Sequence, residues 1–188
     1  MPVIVVTPDP DGSVAAALAG AEVTLASPAP EESGPAAQMA HGVEIALGEV
    51  SETTAALLWP ARLCWVGPET VTSLIEAHGA TPDALVQPAY HGATGWPRLV
   101  PLHLVDGLRR VAPDRMPDDV LSDLAASGIP IRSIELGDPG TVIDGSTPQA
   151  DLPPYEGPPG PASDHSHKWG SGVTDRSEDA PRGPRVRR

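Results

Sequence analysis

The chain of 188 residues has no phenylalanine, a single cysteine and a single lysine, and its Trp and Tyr number only four and two. Each scarcity excludes something. One cysteine, Cys64, rules out a disulfide framework within the chain and any Cys-rich zinc module. Without phenylalanine the core must come from Val, Leu, Ile and Ala, which still pack at normal density. Apolar runs are cut by Pro, Gly or charge before they reach the length of a bilayer span. The chain opens Met1-Pro2-Val3 with no basic stretch, so no signal peptide is read. The expectation is a soluble, cytoplasmic protein with no membrane partner. Positive charge is scarce as well: the net charge is −13. That balance argues against a nucleic-acid partner gripped over a broad surface.

Proline and glycine are abundant, at 24 and 19. Their placement divides the chain. Residues 153–188 hold seven prolines and five glycines with hardly any aliphatics. Such a segment buries too little surface to offset the entropy of ordering, so it reads as a disordered tail. Residues 1–152 carry 20 acidic and 6 basic groups, a net of −14, and the tail carries 5 acidic and 6 basic, a net of +1. The basic tail is expected to fold back on the acidic domain only weakly and in a salt-dependent way. His165 and His167 form a short pair in this tail. They read as solvated polar residues, since no third ligand is near and a tail does not preorganise a metal site.

Within residues 1–152, strand and helix patterns alternate. Val3–Val6 is a continuous β-branched run, the mark of a strand buried on both faces. Ser13–Gly20 is an Ala/Leu helix closed by glycine. Glu22–Ala26 is a strand, and 28–35 a loop. Ala36–Leu47 carries apolar residues at helical spacing. Ala55–Trp59 is a strand closed by Pro60. Pro68 opens a helix, with Glu69 in its first turn, that runs to about Gly79. Ala84–Pro88 is a strand, after which a loop with Gly92, Gly95 and Pro97 leads into Arg98–Pro101. Helices follow at His103–Arg110 and Pro117–Ser127, and Ile131–Leu136 is the last strand. The alternation predicts an α/β domain with a mostly parallel sheet and helices on both faces. In such sheets ligands bind beyond the carboxyl ends of the strands. The loops to watch are therefore 7–12, 27–35, 60–67, 88–97 and 137–147.

Several of these loops carry motifs. One is Pro88-x-Tyr90-x-Gly92-x-x-Gly95-Trp96-Pro97. Another is Asp138-x-Gly140 followed by Val142-Ile143-Asp144-Gly145-Ser146-Thr147-Pro148-Gln149-Ala150-Asp151-Leu152. A third is Gly34-Pro35-Ala36-Ala37-Gln38 at a helix start, and a weaker fourth runs from Trp59 through Arg62 and Cys64 to Val71. In order and interval these resemble the MobA-like NTP transferases, the nucleotidyltransferases that include the molybdenum-cofactor cytidylyltransferases. The resemblance covers most of residues 3–152. It implies a three-layer Rossmann-like fold of the nucleotide-diphospho-sugar transferase type. It also implies nucleotidyl transfer to a phosphorylated, molybdopterin-type small molecule. A Mg²⁺ ion would offset the charge that develops on the phosphates. By the same resemblance, Gly34 and Gln38 fall on nucleotide-binding positions. Tyr90, Gly92, Gly95, Trp96 and Pro97 fall on the acceptor side, and Asp144 is a metal ligand. No residue is assigned a catalytic role.

The chain departs from the family pattern at several places. The first strand matches the family's second, so the first strand–loop–helix unit, with its Gly-rich phosphate loop, has no counterpart here. The second metal carboxylate falls on Arg62, which repels Mg²⁺. A family proline is Cys64, a family histidine is Trp96, and a small hydroxyl is Gln38. Asp144 also reads as a turn residue of an Asp-Gly pair. Trp96 reads equally as a platform for a flat heterocycle or as a loop anchor. Gly92 to Pro97 also read as a tight loop that needs its glycines. Cys64 has no activating neighbour in sequence and reads as a buried, inert thiol. Three functional readings stand. One is a nucleotidyltransferase that binds a nucleotide. The second is an inactive relative acting on a ligand or protein partner. The third is a structural remnant with no selected activity. Replacing Arg62 by Asp should raise the affinity for Mg²⁺-nucleotide in calorimetry; no gain would mean that the pocket is lost.

Overall fold

The computed structural model describes residues 1–158. Residues 153–158 are described without helix or strand; the rest of the expected tail, with His165 and His167, lies outside the described residues. The elements run β1 (Ile4–Val6), α1 (Ser13–Ala17), β2 (Thr24–Ala26), α2 (Gly34–Glu49), β3 (Ala55–Leu58) and α3 (Pro68–Ala80). Then come β4 (Leu85–Tyr90), β5 (Ala93–Thr94), β6 (Arg98–Pro101), α4 (Leu102–Arg109), α5 (Pro117–Ala126) and β7 (Ile131–Glu135). A 3₁₀ turn at Glu31–Ser33 feeds α2, and another at Pro139–Thr141 follows β7.

The α/β alternation is present, but the sheet is mixed rather than mostly parallel. β4 is its centre. It pairs in parallel with β7, from Leu85 against Ile131 to Ala89 against Glu135. Its other edge takes β5 and β6, both antiparallel. β6 then pairs antiparallel with β3, from Ala55 against Pro101 to Leu58 against Arg98. The reason is local. The chain leaves β4, turns back at once through His91-Gly92, and returns beside it, so no crossover helix intervenes and the pairing must be antiparallel. β1 and β2 form a separate parallel pair, with Val5 opposite Leu25.

Period-2 alternation sorts the strands' side chains onto two faces. Leu58, Leu85 and Val100 point to one face and pack with Ala36, Ala40 and Val43 of α2, Leu104 and Leu108 of α4, and Val120 and Leu121 of α5. Leu57, Val86 and Leu99 point to the other and pack with Leu74 and Ala77 of α3. The expected aliphatic core is therefore realised as two layers of Leu, Val and Ala around a buried central strand. Helix α2 also bridges to the small sheet: a Cβ on Gly42 would meet Val6 Cγ2 at 3.0 Å. The glycine lets the helix lie close to β1.

Leu108 is fully buried in the larger cluster, whereas Leu47 on α2 is exposed. Leu108→Ala should cost about 3 kcal/mol and lower Tm by roughly 6–12 °C, read by circular dichroism. Leu47→Ala should stay within about 0.5 kcal/mol.

Candidate functional site

Three loops meet at the carboxyl ends of β3, β4 and β7. The loop after β7 carries the hub. Asp138 is 2% exposed, and its carboxylate accepts three hydrogen bonds. They come from Gly67 N at 2.9 Å, Thr70 Oγ1 at 2.6 Å and Gly140 N at 2.9 Å. Gly67 and Thr70 belong to the start of α3, so one carboxylate joins the β3 loop, the helix and the β7 loop. A buried charge needs this degree of satisfaction to be tolerated. Thr141 adds a bond from its Oγ1 to Asp138 O at 2.7 Å, and its own carbonyl accepts from Trp96 N at 2.9 Å.

Glycines make the close approaches possible. A Cβ on Gly140 would overlap the backbone of Trp65, and one on Gly95 would overlap Thr141. The β3 loop then docks on the far part of the β7 loop. Gly145 N donates to Arg62 O at 2.7 Å, and Trp65 Nε1 donates to Thr147 O at 3.0 Å. Trp59 Nε1 braces the same loop from within, donating to Leu63 O at 2.7 Å.

The β4–β5 turn is clamped from β7. His91 and Gly92 have φ of 49° and 79°, the left-handed pair that a two-residue hairpin requires, and for which glycine is best suited. The Glu135 carboxylate accepts from His91 N at 2.8 Å and Gly92 N at 3.1 Å. Tyr90 stands at the end of β4 with its ring edge-on to His91. Beyond the turn, Trp96 is 4% exposed. Its indole N–H donates to Asp118 Oδ1 at 3.0 Å, and the Arg98 guanidinium lies 4.4 Å from its ring centre. Trp96 is thus packed as a loop anchor, its ring occupied by a cation inside the protein. Arg98 is itself buried, donating to Asp118 at 2.6 Å and to Gly95 O at 3.2 Å. Burial pulls its pKa below the ordinary guanidinium value, and Asp118 opposes that pull. The Trp96–Pro97 peptide is cis.

Asp144 sits in the loop that docks on Arg62. Its Oδ1 accepts from Ser146 Oγ at 2.5 Å and from Ser146 N at 3.0 Å. These bonds, and then the positive charge of Arg62, hold its carboxyl below the ordinary 3.8. Such a depressed group adds stability above the ordinary carboxylate range. That contribution is lost as the pH falls through the lowered value.

The structure therefore gathers Tyr90, Gly92, Gly95, Trp96, Pro97 and Asp144 at one end of the sheet. Gly34 and Gln38 lie elsewhere, at the start of α2. Gly34 has φ of 79° and is pressed against the backbone of Pro113. The Gln38 amide is spent on Ala29, accepting from its N and donating to its O, both at 2.8 Å. Near them lies a cavity of about 260 Å³ lined by Ser33, His41 and Arg109. A second, of about 670 Å³, lies between Met1 and the start of β3. Asp144 lines neither of them. Cys64 is exposed rather than buried: it sits on the outer turn of the β3 loop, with one side of its Sγ against Gly145 of the β7 loop.

Sequence reasoning missed the Asp138 hub, the Glu135 clamp and the Arg98–Asp118 pair. A signal for the last was present: an arginine in an otherwise apolar strand must find an anion when buried. No group of three or more His, Cys, Asp or Glu side chains suited to a metal occurs among the described residues. No helix of the described residues is long and apolar enough to cross a membrane.

Comparison with known proteins places this architecture. A family model described as MobA-like NTP transferase domain matches residues 1–127. Among solved structures the fold is similar to Rv0371c of Mycobacterium tuberculosis H37Rv, solved in complex with manganese. That match has 18% identity and a TM-score of 0.55, over 72% of this chain and 67% of that one. A 4-diphosphocytidyl-2C-methyl-D-erythritol synthase matches at 20% identity and a TM-score of 0.54, covering 80% of this chain and 79% of that one. The bifunctional IspDF of Campylobacter jejuni matches at 12% identity and a TM-score of 0.50, over 81% of this chain but 42% of its own length. A second Rv0371c structure is covered over 66% of its length, just under two thirds. No curated protein matches the chain in sequence.

Two outcomes test the hub and the Asp144 loop. Asp138→Ala orphans two buried donors and one half-buried donor and should cost about 3 kcal/mol in urea denaturation. Ser146→Ala should move the Asp144 titration up toward 3.8, read from its carboxyl carbon by NMR.

Proposed function

The chain belongs to the MobA-like NTP transferase family, and on that premise we propose that it binds a nucleoside triphosphate at the carboxyl ends of β3, β4 and β7. The reaction is transfer of the nucleotidyl group to a phosphorylated, pterin-type acceptor. An acceptor phosphate oxygen attacks the α-phosphorus, and the bond to the departing pyrophosphate breaks. The observation that carries this reading is the convergence of loops 59–67, 90–97 and 136–147 on Asp138 and Thr141. Such rigid support is what positions reactants for an in-line displacement, where most of the catalysis is positioning and charge stabilisation. Tyr90 and the Gly92–Pro97 turn would line the acceptor side. Gly34 and Gln38 would act on the nucleotide only by shaping the 27–35 loop, since their polar and packing contacts are internal. Residues 1–152 are the proposed transferase-like domain.

The family implies a divalent cation, and the residues present do not fit one. Asp144 is the one carboxylate in position. Its Oδ1 is held by Ser146, and it faces the cation Arg62. A guanidinium in place of the second ligand raises the cost of placing a doubly charged ion there. Arg62 therefore favours the second reading, a relative that binds nucleotide, or a partner through it, without turnover.

Pyrophosphate release separates the readings. With CTP, GTP or ATP plus molybdopterin, the transferase reading expects acceptor-dependent release by the 188-residue chain. Nucleotide binding without release would establish the binding reading. Absence of binding to all three nucleotides would sink both.

A further inference from the structure

We infer that Arg62 is an anion-binding residue that contacts the nucleotide phosphates directly, so that this site takes its nucleotide without a divalent cation. The inference rests on the nucleotide-binding reading above and goes beyond it in naming the group that recognises the phosphate.

The first observation is how the arginines are used. Residues 1–152 contain six: Arg62, Arg98, Arg109, Arg110, Arg115 and Arg132. Arg98 is paired with Asp118, Arg109 with Glu44 and Asp106, Arg110 with Asp106 and Arg115 with Asp123. Arg132 donates to Ala77 O at 3.1 Å. Arg62 is exposed, and its guanidinium makes no hydrogen bond or ion pair among the described residues. Arg132 is held by a carbonyl rather than a carboxylate, so Arg62 differs from the other five in having no acceptor of either kind among the described residues. Its five N–H donors have no acceptor among the described residues.

The second observation is position. Arg62 lies in the loop after β3, at the strand ends where α/β sheets bind ligands. Its backbone is fixed there: its carbonyl accepts from Gly145 N, and Gly145 is pressed against Cys64 Sγ. The stem of the side chain is thus anchored while its head is free. Asp144 stands near enough to interact electrostatically but makes no ion pair with it, its Oδ1 being occupied by Ser146.

The third is chemical. A phosphate bound to this surface needs positive charge, and the family's means of supplying it is an ion that these residues do not accommodate. A guanidinium supplies both charge and a planar pair of donors suited to two phosphate oxygens. It is always protonated, so no metal and no pH change is required to make it competent.

The test measures binding of CTP, GTP and ATP to the full chain by calorimetry, in EDTA and in Mn²⁺. Binding in EDTA should be at least as tight as in Mn²⁺, and Mn²⁺ alone should give no bound-ion signal by electron paramagnetic resonance. Arg62→Ala should weaken binding in EDTA by about tenfold or more. Arg62→Asp should abolish it in EDTA and show binding only with Mn²⁺. Arg62 is exposed, so circular dichroism should show both variants folded. Nucleotide binding by the wild type that requires Mn²⁺ would overturn the inference while leaving the nucleotide-binding reading intact. So would metal-free binding that Arg62→Ala leaves unchanged. No binding under either condition would remove the nucleotide-binding reading and this inference together.

Discussion

The carboxylate of Asp138 is the constraint on which the strand-end architecture depends. Three loops leave the sheet at the same end, and loops bring backbone N–H groups that cannot be buried without partners. Asp138 takes two of those N–H groups and one hydroxyl. Each comes from a different stretch of chain or from a residue that fixes that stretch. The result is that the start of α3 and the loops after β3 and β7 are tied to one carboxylate. Thr141 extends the same tie to Gly95 and Trp96, and Trp96 passes it on to Asp118 of α5. A chain of contacts thus runs from α3 across the top of the sheet to α5, from the buried Asp138 to the half-exposed Asp118 that pairs with Arg98.

Charge is the second organising quantity. An acidic domain with six arginines has few cations to place. Arg98 is placed inside, where burial and Asp118 make it a structural element. Most of the others are spent on helix-surface pairs, which are individually weak. Arg62 alone stands at the strand ends without a partner among the described residues, beside a carboxylate occupied by Ser146. This distribution gives the site a different electrostatic character from one built on paired carboxylates.

Much of the fold was legible from residue patterns. The β-branched run at Val3–Val6, the helical spacing after Ala36, Pro68 at a helix start and the run at Ile131–Leu136 all lead to observed elements within a few residues. These signals are local, because a helix or strand is selected by neighbours within a turn or two. The sheet direction was not legible. Arg98–Pro101 carries no mark of which neighbour it will pair with, and the short β5 was hidden inside what looks like a glycine loop. The site was half legible. The motifs led to Tyr90, the Gly92–Pro97 turn and Asp144, which do converge. They also led to Gly34 and Gln38, whose contacts lie with Pro113 and Ala29 at another edge of the fold.

By itself the sequence determined the aliphatic core, the α/β alternation, the acidic balance and the presence of an arginine where a carboxylate is expected. These follow from composition, from short-range periodicity and from the residue at one position. Only the tertiary structure decided that the sheet is mixed, that Asp138 is a hub, that Trp96 faces a buried cation and that Cys64 is exposed. Each of those depends on which distant segments meet. Gly140 meets Trp65 and Arg98 meets Asp118 because the packed sheet and its helices bring them together. No rule of spacing along the chain contains that information.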